Sequence, residues 1–214
     1  MLNTVAARLA EDAAVPDEVA DAIVQAGRRL DARGWVPATA GNISQRLDDR
    51  RIAITRSGVH KGFLTRQDVI VVTHDGHSVD GLGRPSAETL LHCQIYESFA
   101  DTGAVVHGHS VAATVMSRQN KANALRFAGY EVQKVFEGQS THDNVLDLPL
   151  VDNDQDIPRL ARSVASLLPH SKLGYLIRGH GTYVWGPTMP TALARFEALE
   201  FLLACELEQW VATA

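Results

Sequence analysis

Apolar side chains recur along this chain with two different periods, and the switches between them lay out most of the elements. From Pro16 to Arg33, Val19, Ala22, Ile23, Ala26 and Leu30 share one face of a helix. Pro16 suits a first helical turn, Asp17 and Glu18 stand where the dipole favours acids, and Gly34 supplies a stop. The pattern then shortens to alternating runs, Ile43 to Leu47, Arg51 to Thr55 and Val69 to Val72, with turn residues between them. Such runs predict an antiparallel sheet. Pro85 and Ser86 open a second helix whose buried face is read as Leu90, Leu91, Ile95 and Phe99.

Gly103 to His109 reads as another strand, and Val111 to Met116 as a helical stretch. Tyr175 to Arg178 and Thr182 to Trp185 form a strand pair joined through Gly179-His180-Gly181. Pro190 to Val211 predicts a long last helix with Leu193, Phe196, Leu199, Leu203 and Leu207 along one side. Helices outside a mainly antiparallel sheet give an α/β layered fold, not a βαβ series. No repeat, low-complexity tract or Gly/Ser-rich linker divides the 214 residues, so residues 1–214 are expected to form one domain.

Composition narrows the partners. Hydrophobic residues make up 45% and charged residues 21%, which excludes a disordered chain. Lys plus Arg is 20 against 25 Asp plus Glu, a net charge of −5, so the surface as a whole is a poor match for nucleic acid. Any anionic substrate must be met by a local site. No apolar run reaches the ~20 residues that span a bilayer, so no membrane partner is expected. Glu11, Asp12, Asp17 and Glu18 suit neither a signal nor a transit peptide, and a cytoplasmic protein is expected. Cys93 and Cys205 are too few and too far apart for a disulfide framework.

The sharpest chemical signal is His107-Gly108-His109. Residues two apart in a strand project to the same side, so both imidazoles face one point, and imidazole is the commonest metal ligand. A catalytic zinc site needs three protein ligands and an open position. His180, between two glycines at a strand turn, is the best candidate for the third. In a chain with nine histidines the pair also has an ordinary, structural reading. His60, His74, His77 and His142 are read as surface residues, His92 as lying on the exposed side of its helix, and His170 near a loop. Two weaker patterns are set aside as loops. Gly81-Leu82-Gly83-Arg84 lacks the setting of a dinucleotide fingerprint, and Asp152-Asn153-Asp154-Gln155-Asp156 lacks the glycine of a calcium loop.

An ordered set of segments carries a resemblance. Ala40-Gly41-Asn42-Ile43-Ser44, Thr55-Arg56-Ser57-Gly58, Pro85-Ser86-Ala87-Glu88, His107-Gly108-His109 and Arg178-Gly179-His180-Gly181 resemble, in that order, the class II aldolase/adducin family. The likeness runs from about Trp35 to the last helix. Gly129-Tyr130-Glu131-Val132-Gln133-Lys134 and Gly179 to Gly186 look most like a branch that dehydrates a methylthio-bearing ketose phosphate.

The resemblance implies zinc, one ion per subunit, on His107, His109 and His180. There the ion would act as a Lewis acid toward a sugar ketone. It also implies a phosphate pocket built from Gly41, Asn42, Thr55, Ser57, Gly58 and Ser86, to which Lys61 adds a positive charge. Exposed amides, short hydroxyls and a helix N-terminus after Ser86 suit that role. The ordinary alternatives are a tight turn at Gly41-Asn42, a helix cap at Ser86 and a solvated Lys61. Two carboxylates compete for the proton work. Glu131 matches the dehydratase acid/base and Glu88 that of the sugar-phosphate aldolases, so Glu131 is expected to carry dehydration with Glu88 auxiliary beside the metal. Phe127, Tyr130 and Phe136 are candidates for an apolar wall against the methylthio end. The resemblance further implies a small phosphorylated ketose substrate and a homotetramer. Two rivals stay open: a class II sugar-phosphate aldolase or ribulose-phosphate 4-epimerase, and a non-catalytic adducin-like interaction module.

Overall fold

Eight strands form one sheet in the order β3-β2-β1-β4-β8-β7-β6-β5, in a computed structural model that describes residues 13–79, 81 and 83–213. Glu11, Asp12 and Leu82, on which parts of the sequence reading fall, lie outside the described residues. In chain order the elements are α1 (Asp17–Ala32), β1 (Asn42–Arg46), β2 (Arg51–Thr55), β3 (Val69–Thr73), α2 (Thr89–Ser98) and β4 (Ala104–Gly108). There follow α3 (Val111–Gln119), β5 (Ala124–Phe127), β6 (Leu146–Val151), α4 (Ile157–Ala165), β7 (Tyr175–Ile177), β8 (Gly181–Gly186) and α5 (Met189–Thr213). Every neighbouring pair in the sheet is antiparallel except β6 and β7. The α/β layered fold with a mainly antiparallel sheet is therefore observed.

Alternation along the strands divides the core into two layers, because successive side chains leave a strand on opposite faces. Ile43, Ala53, Val106, Leu176 and Val184 pack on one face with Ile23 and Leu30 of α1, Ala113 of α3, and Phe196 and Leu199 of α5. Ile52, Ile54, Val105, Tyr175 and Tyr183 pack on the other with Leu91, Ile95 and Tyr96 of α2 and Leu160 and Val164 of α4. Among the described residues no helix is long and apolar enough to cross a membrane.

α1, β1 to β4, α3, β7, β8 and α5 end within a few residues of the spans expected from the sequence. β5, β6 and α4 are additional to the expected elements, and α2 differs from its expected register. That helix starts at Thr89, three residues beyond Ser86, and its buried residues include Leu91, His92, Ile95 and Tyr96, whereas Leu90 and Phe99 are half-buried. His92 is thus corrected from exposed to wholly buried. A polar side chain in the middle of the buried stripe looks like a solvent-facing position until its partners are known. His74 is also half-buried, stacked on Tyr96 at 6.4 Å between ring centres.

Candidate metal centre and anion pocket

Strand β4 sits at the centre of the sheet, and its C-terminal end brings the first two histidines to the site. His107 pairs with Asn42 of β1 on one side and Tyr183 of β8 on the other. His109 follows just beyond the strand, its amide donating to the Trp35 carbonyl at 2.6 Å. His180 arrives on the turn between β7 and β8, where Gly179 takes a φ of 65° that side chains other than glycine avoid. Gly181 lets this turn close on β4: a Cβ there would stand 2.2 Å from the Gly108 carbonyl oxygen and 2.9 Å from His107 Cε1. Of the two glycines that flank His180, Gly179 is thus required by its backbone angle and Gly181 by the close approach to β4.

The three imidazole rings lie 4.6 to 5.2 Å apart between centres. Glu88, just before α2, completes the group. Its Oε1 is 2.7 Å from His180 Nε2 and its Oε2 is 3.3 Å from His107 Nε2. One ligand atom from each of Glu88, His107, His109 and His180 falls within 4.8 Å of all the others. His107 is wholly buried, and apart from the ion-pair contact with Glu88 its Nε2 makes no well-aligned hydrogen bond among the described residues. A buried imidazole nitrogen without a partner is costly unless something else satisfies it, and a divalent cation fits. Burial, then the neighbouring His107 and His180, lowers His109 to about 3, which leaves a neutral ring able to donate a lone pair. Burial alone would raise the Glu88 carboxyl, but His107 and His180 outweigh it and hold the group well below the usual carboxylate range. Three imidazoles and an anionic carboxylate form a donor set suited to zinc and similar ions.

Beside this cluster opens a pocket of about 380 Å³. Gly41, Asn42, Ser57, Gly58, Lys61 and Ser86 all line it, so separate segments of the sequence reading meet here. Asn42 donates from Nδ2 to Ser86 Oγ at 3.0 Å and to Glu88 Oε2 at 2.8 Å. Lys61 is buried, with Nζ donating to the carbonyls of Thr39 at 2.9 Å and Val59 at 2.7 Å. Burial pulls its ammonium down to about 8, against the opposing attraction of Glu88.

Other expected residues fall elsewhere. Thr55 is buried between β1 and β2, where its Oγ1 accepts the Ile43 amide at 3.3 Å, and it does not line the pocket. Phe127 and Phe136 are consumed by the core, and the Tyr130 hydroxyl donates to Glu206 at 2.8 Å. None of the three lines the pocket as a methylthio wall. Glu131 starts a short 3-10 helix (Glu131–Val135), lies exposed and pairs with Lys134, also outside the pocket of its own chain. Conversely, Asn153, Asp154, Gln155 and Ile157, to which the sequence assigned no role at the site, also line the pocket, as does Arg56 of the Thr55-Arg56-Ser57-Gly58 segment. The acidic run set aside as a failed calcium loop was the available signal: Asn153 Oδ1 lies 3.3 Å from His180 Nδ1.

The model of the class II aldolase and adducin N-terminal domain matches residues 21–207. A methylthioribulose-1-phosphate dehydratase of Gluconobacter oxydans (strain 621H) is 67% identical over 185 residues, 86% of this chain and 89% of its own. One of Acidiphilium cryptum (strain JF-5) is 50% identical over 206 residues, 96% of this chain and 98% of its own. The crystal structure of L-fuculose-1-phosphate aldolase from Thermus thermophilus superposes with a TM-score of 0.74 at 27% identity, covering 92% of this chain and 97% of that one.

Proposed function

We infer that this chain, which belongs to the class II aldolase and adducin N-terminal domain family, is a methylthioribulose-1-phosphate dehydratase. It converts 5-methylthioribulose 1-phosphate into 2,3-diketo-5-methylthiopentyl 1-phosphate and water, a step of methionine salvage. The observation that carries this reading is the convergence of Glu88, His107, His109 and His180 beside the anion pocket. An adducin-like interaction module would have no use for such a donor set.

His107, His109 and His180 would hold one zinc per subunit, with Glu88 auxiliary beside it. When bound, the ion supplies Lewis acidity toward the ketone and its neighbouring hydroxyl. The protein positions the substrate around it. Gly41, Asn42, Ser57, Gly58 and Ser86 receive the phosphate, and Lys61 adds charge where the net charge of −5 would otherwise repel it. The reaction removes the C3 hydrogen and the C4 hydroxyl, and hydroxide leaves poorly unless it is protonated. Glu131 supplies that proton. Because Glu131 stands outside its own chain's pocket, the role requires a neighbouring subunit to deliver it, which fits the expected homotetramer. The cytoplasm is the compartment in which this reading places the enzyme.

Incubation of the zinc-loaded protein with 5-methylthioribulose 1-phosphate, fuculose 1-phosphate and ribulose 5-phosphate tests the reading. Diketone is expected from the first and no cleavage or epimerisation of the others. Aldol cleavage or epimerisation without dehydration would transfer the chain to its aldolase and epimerase relatives.

A further inference from the structure

Behind the pocket a line of buried polar groups leads away from Glu88. Asn42 and Ser44 stand two apart on β1 and share the face toward α2, where His92 and Tyr96 stand one helical turn apart. Two strand residues rise by roughly 6.6 Å and four helical residues by roughly 6 Å, so the two pairs meet in register. All four side chains are at most 2% exposed. His92 Nε2 meets Asn42 Oδ1, His92 Nδ1 lies 2.7 Å from Ser44 Oγ, and Ser44 Oγ lies 2.9 Å from the Tyr96 hydroxyl.

The direction of each bond follows from the carboxylate at one end. An ionised carboxylate only accepts, so the Asn42 contact at 2.8 Å must be made by its amino group. The carboxamide oxygen then faces His92, whose Nε2 must carry the proton. His92 Nδ1 is left as an acceptor for the Ser44 hydroxyl, and Ser44 accepts from Tyr96. Burial, with His107 nearby, lowers His92 to about 3, consistent with a neutral ring that has one donor and one acceptor.

We propose that His92 is a positioning residue, whose Nε2–H holds the Asn42 carboxamide with its amino edge toward Glu88 and Ser86. The two ends of a carboxamide have nearly the same shape, so the protein must decide between them by hydrogen bonding. With the His92 donor removed, the amide can turn its oxygen toward the Glu88 carboxylate, where two acceptors repel. Glu88 and Ser86 then lose the donor that aims both. This inference rests on the dehydratase reading only for its kinetic readout.

The deciding experiment needs no substrate. In the zinc-loaded full-length protein carrying ¹⁵N-histidine, long-range ¹H–¹⁵N NMR is expected to show His92 as the neutral Nε2–H tautomer. An Nδ1–H tautomer reverses every bond in the line and overturns the proposal. His92→Phe fills the space without the donor, and His92→Gln restores an N–H. A misaimed group of this kind costs about 100-fold in rate, so His92→Phe is expected to lose about that much kcat/KM, through a lower kcat and a higher KM together. Zinc content should stay unchanged, and His92→Gln should recover most of the loss. A lower kcat at unchanged KM, or equal impairment of Phe and Gln, marks a merely structural role and overturns it. Should the wild type fail to dehydrate 5-methylthioribulose 1-phosphate, the functional reading falls while the tautomer still decides this one. It also decides if His92→Phe does not fold.

Discussion

His107 donates from Nδ1 to the main-chain oxygen of Thr182 across 2.9 Å. A carbonyl oxygen only accepts, so Nδ1 carries the proton and Nε2 presents a lone pair to the space shared with Glu88, His109 and His180. Metal analysis of His107→Ala and His180→Ala should therefore find less than about a tenth of the wild-type zinc, since a three-imidazole site that loses one ligand binds far more weakly. Near-stoichiometric zinc in either variant would remove that residue from the ligand set.

The same logic applies one layer out. Asn153 Oδ1, 3.3 Å from His180 Nδ1, is placed to accept from that ring, as the Thr182 carbonyl accepts from His107, and so to leave Nε2 free as the ligand atom. Asn153→Ala should weaken zinc affinity by about 10- to 100-fold in a chelator competition, while His180→Ala abolishes measurable binding. Unchanged affinity would mean that the turn alone orients His180.

Much of this site was legible because its residues follow local rules. The histidine pair needed only the period of a strand, and His180 stood out through flanking glycines, of which the approach to Gly108 explains Gly181 and the turn's backbone angle Gly179. Gly41, Asn42 and Ser86 were read from the ordered family segments, and they do meet at one pocket. What escaped depends on contacts between distant segments. His92 looked exposed because nothing in its own helix reveals that Asn42 and Ser44 await it across the sheet. Asn153, Asp154 and Gln155 come from the loop between β6 and α4, and Ile157 opens α4, two elements the sequence pattern did not reveal. Phe127 and Phe136 behaved as ordinary core residues, which the sequence pattern alone did not separate from a binding wall.

On the proposed function, Lys61 should make phosphate recognition pH-dependent. Two of its three N–H groups are used by the Thr39 and Val59 carbonyls, which leaves one for an anion. With its ammonium lowered to about 8, the charge is present at neutral pH and lost as pH rises through that value. KM for the phosphorylated substrate should therefore climb above pH 8. Lys61→Met should raise KM at pH 7 by roughly 10- to 100-fold, the worth of one hydrogen bond to a charged group. It should also flatten the climb. A KM that rises equally in both proteins would assign the pH effect elsewhere.

The proposed role of Glu131 can be tested separately from metal binding. Glu131→Gln should abolish dehydration and leave zinc near the wild-type level; retained turnover would remove Glu131 from the mechanism. Since the residue lies outside its own pocket, mixing Glu131→Gln and His107→Ala subunits, each inactive alone, in the proposed tetramer should on this proposal regain part of the activity. A neighbour's Glu131 then meets an intact metal site. Mixed tetramers without activity would contradict delivery between subunits.

Glu200, on α5, ties stability to pH. It is 2% exposed and accepts the Thr182 hydroxyl at 2.9 Å through Oε1, while its buried Oε2 makes no hydrogen bond among the described residues. Burial pushes its carboxyl from 4.5 up to about 7, against the hydrogen bonds of Ser110 and Thr182. Between those two pH values the folded chain keeps a proton that the unfolded chain has released, so the stability owed to this group falls as pH rises. It is fully present below pH 4.5 and gone once pH has passed 7. The span corresponds to a loss on the order of 3 kcal/mol. Glu200→Gln has the shape of the protonated acid but cannot ionise. Urea unfolding of both proteins at several pH values from 4.5 to 7.5 measures the difference, in which shared titrations cancel. The wild type should lose stability relative to Glu200→Gln as pH rises, and a flat difference would show that the Glu200 carboxyl titrates near its ordinary value.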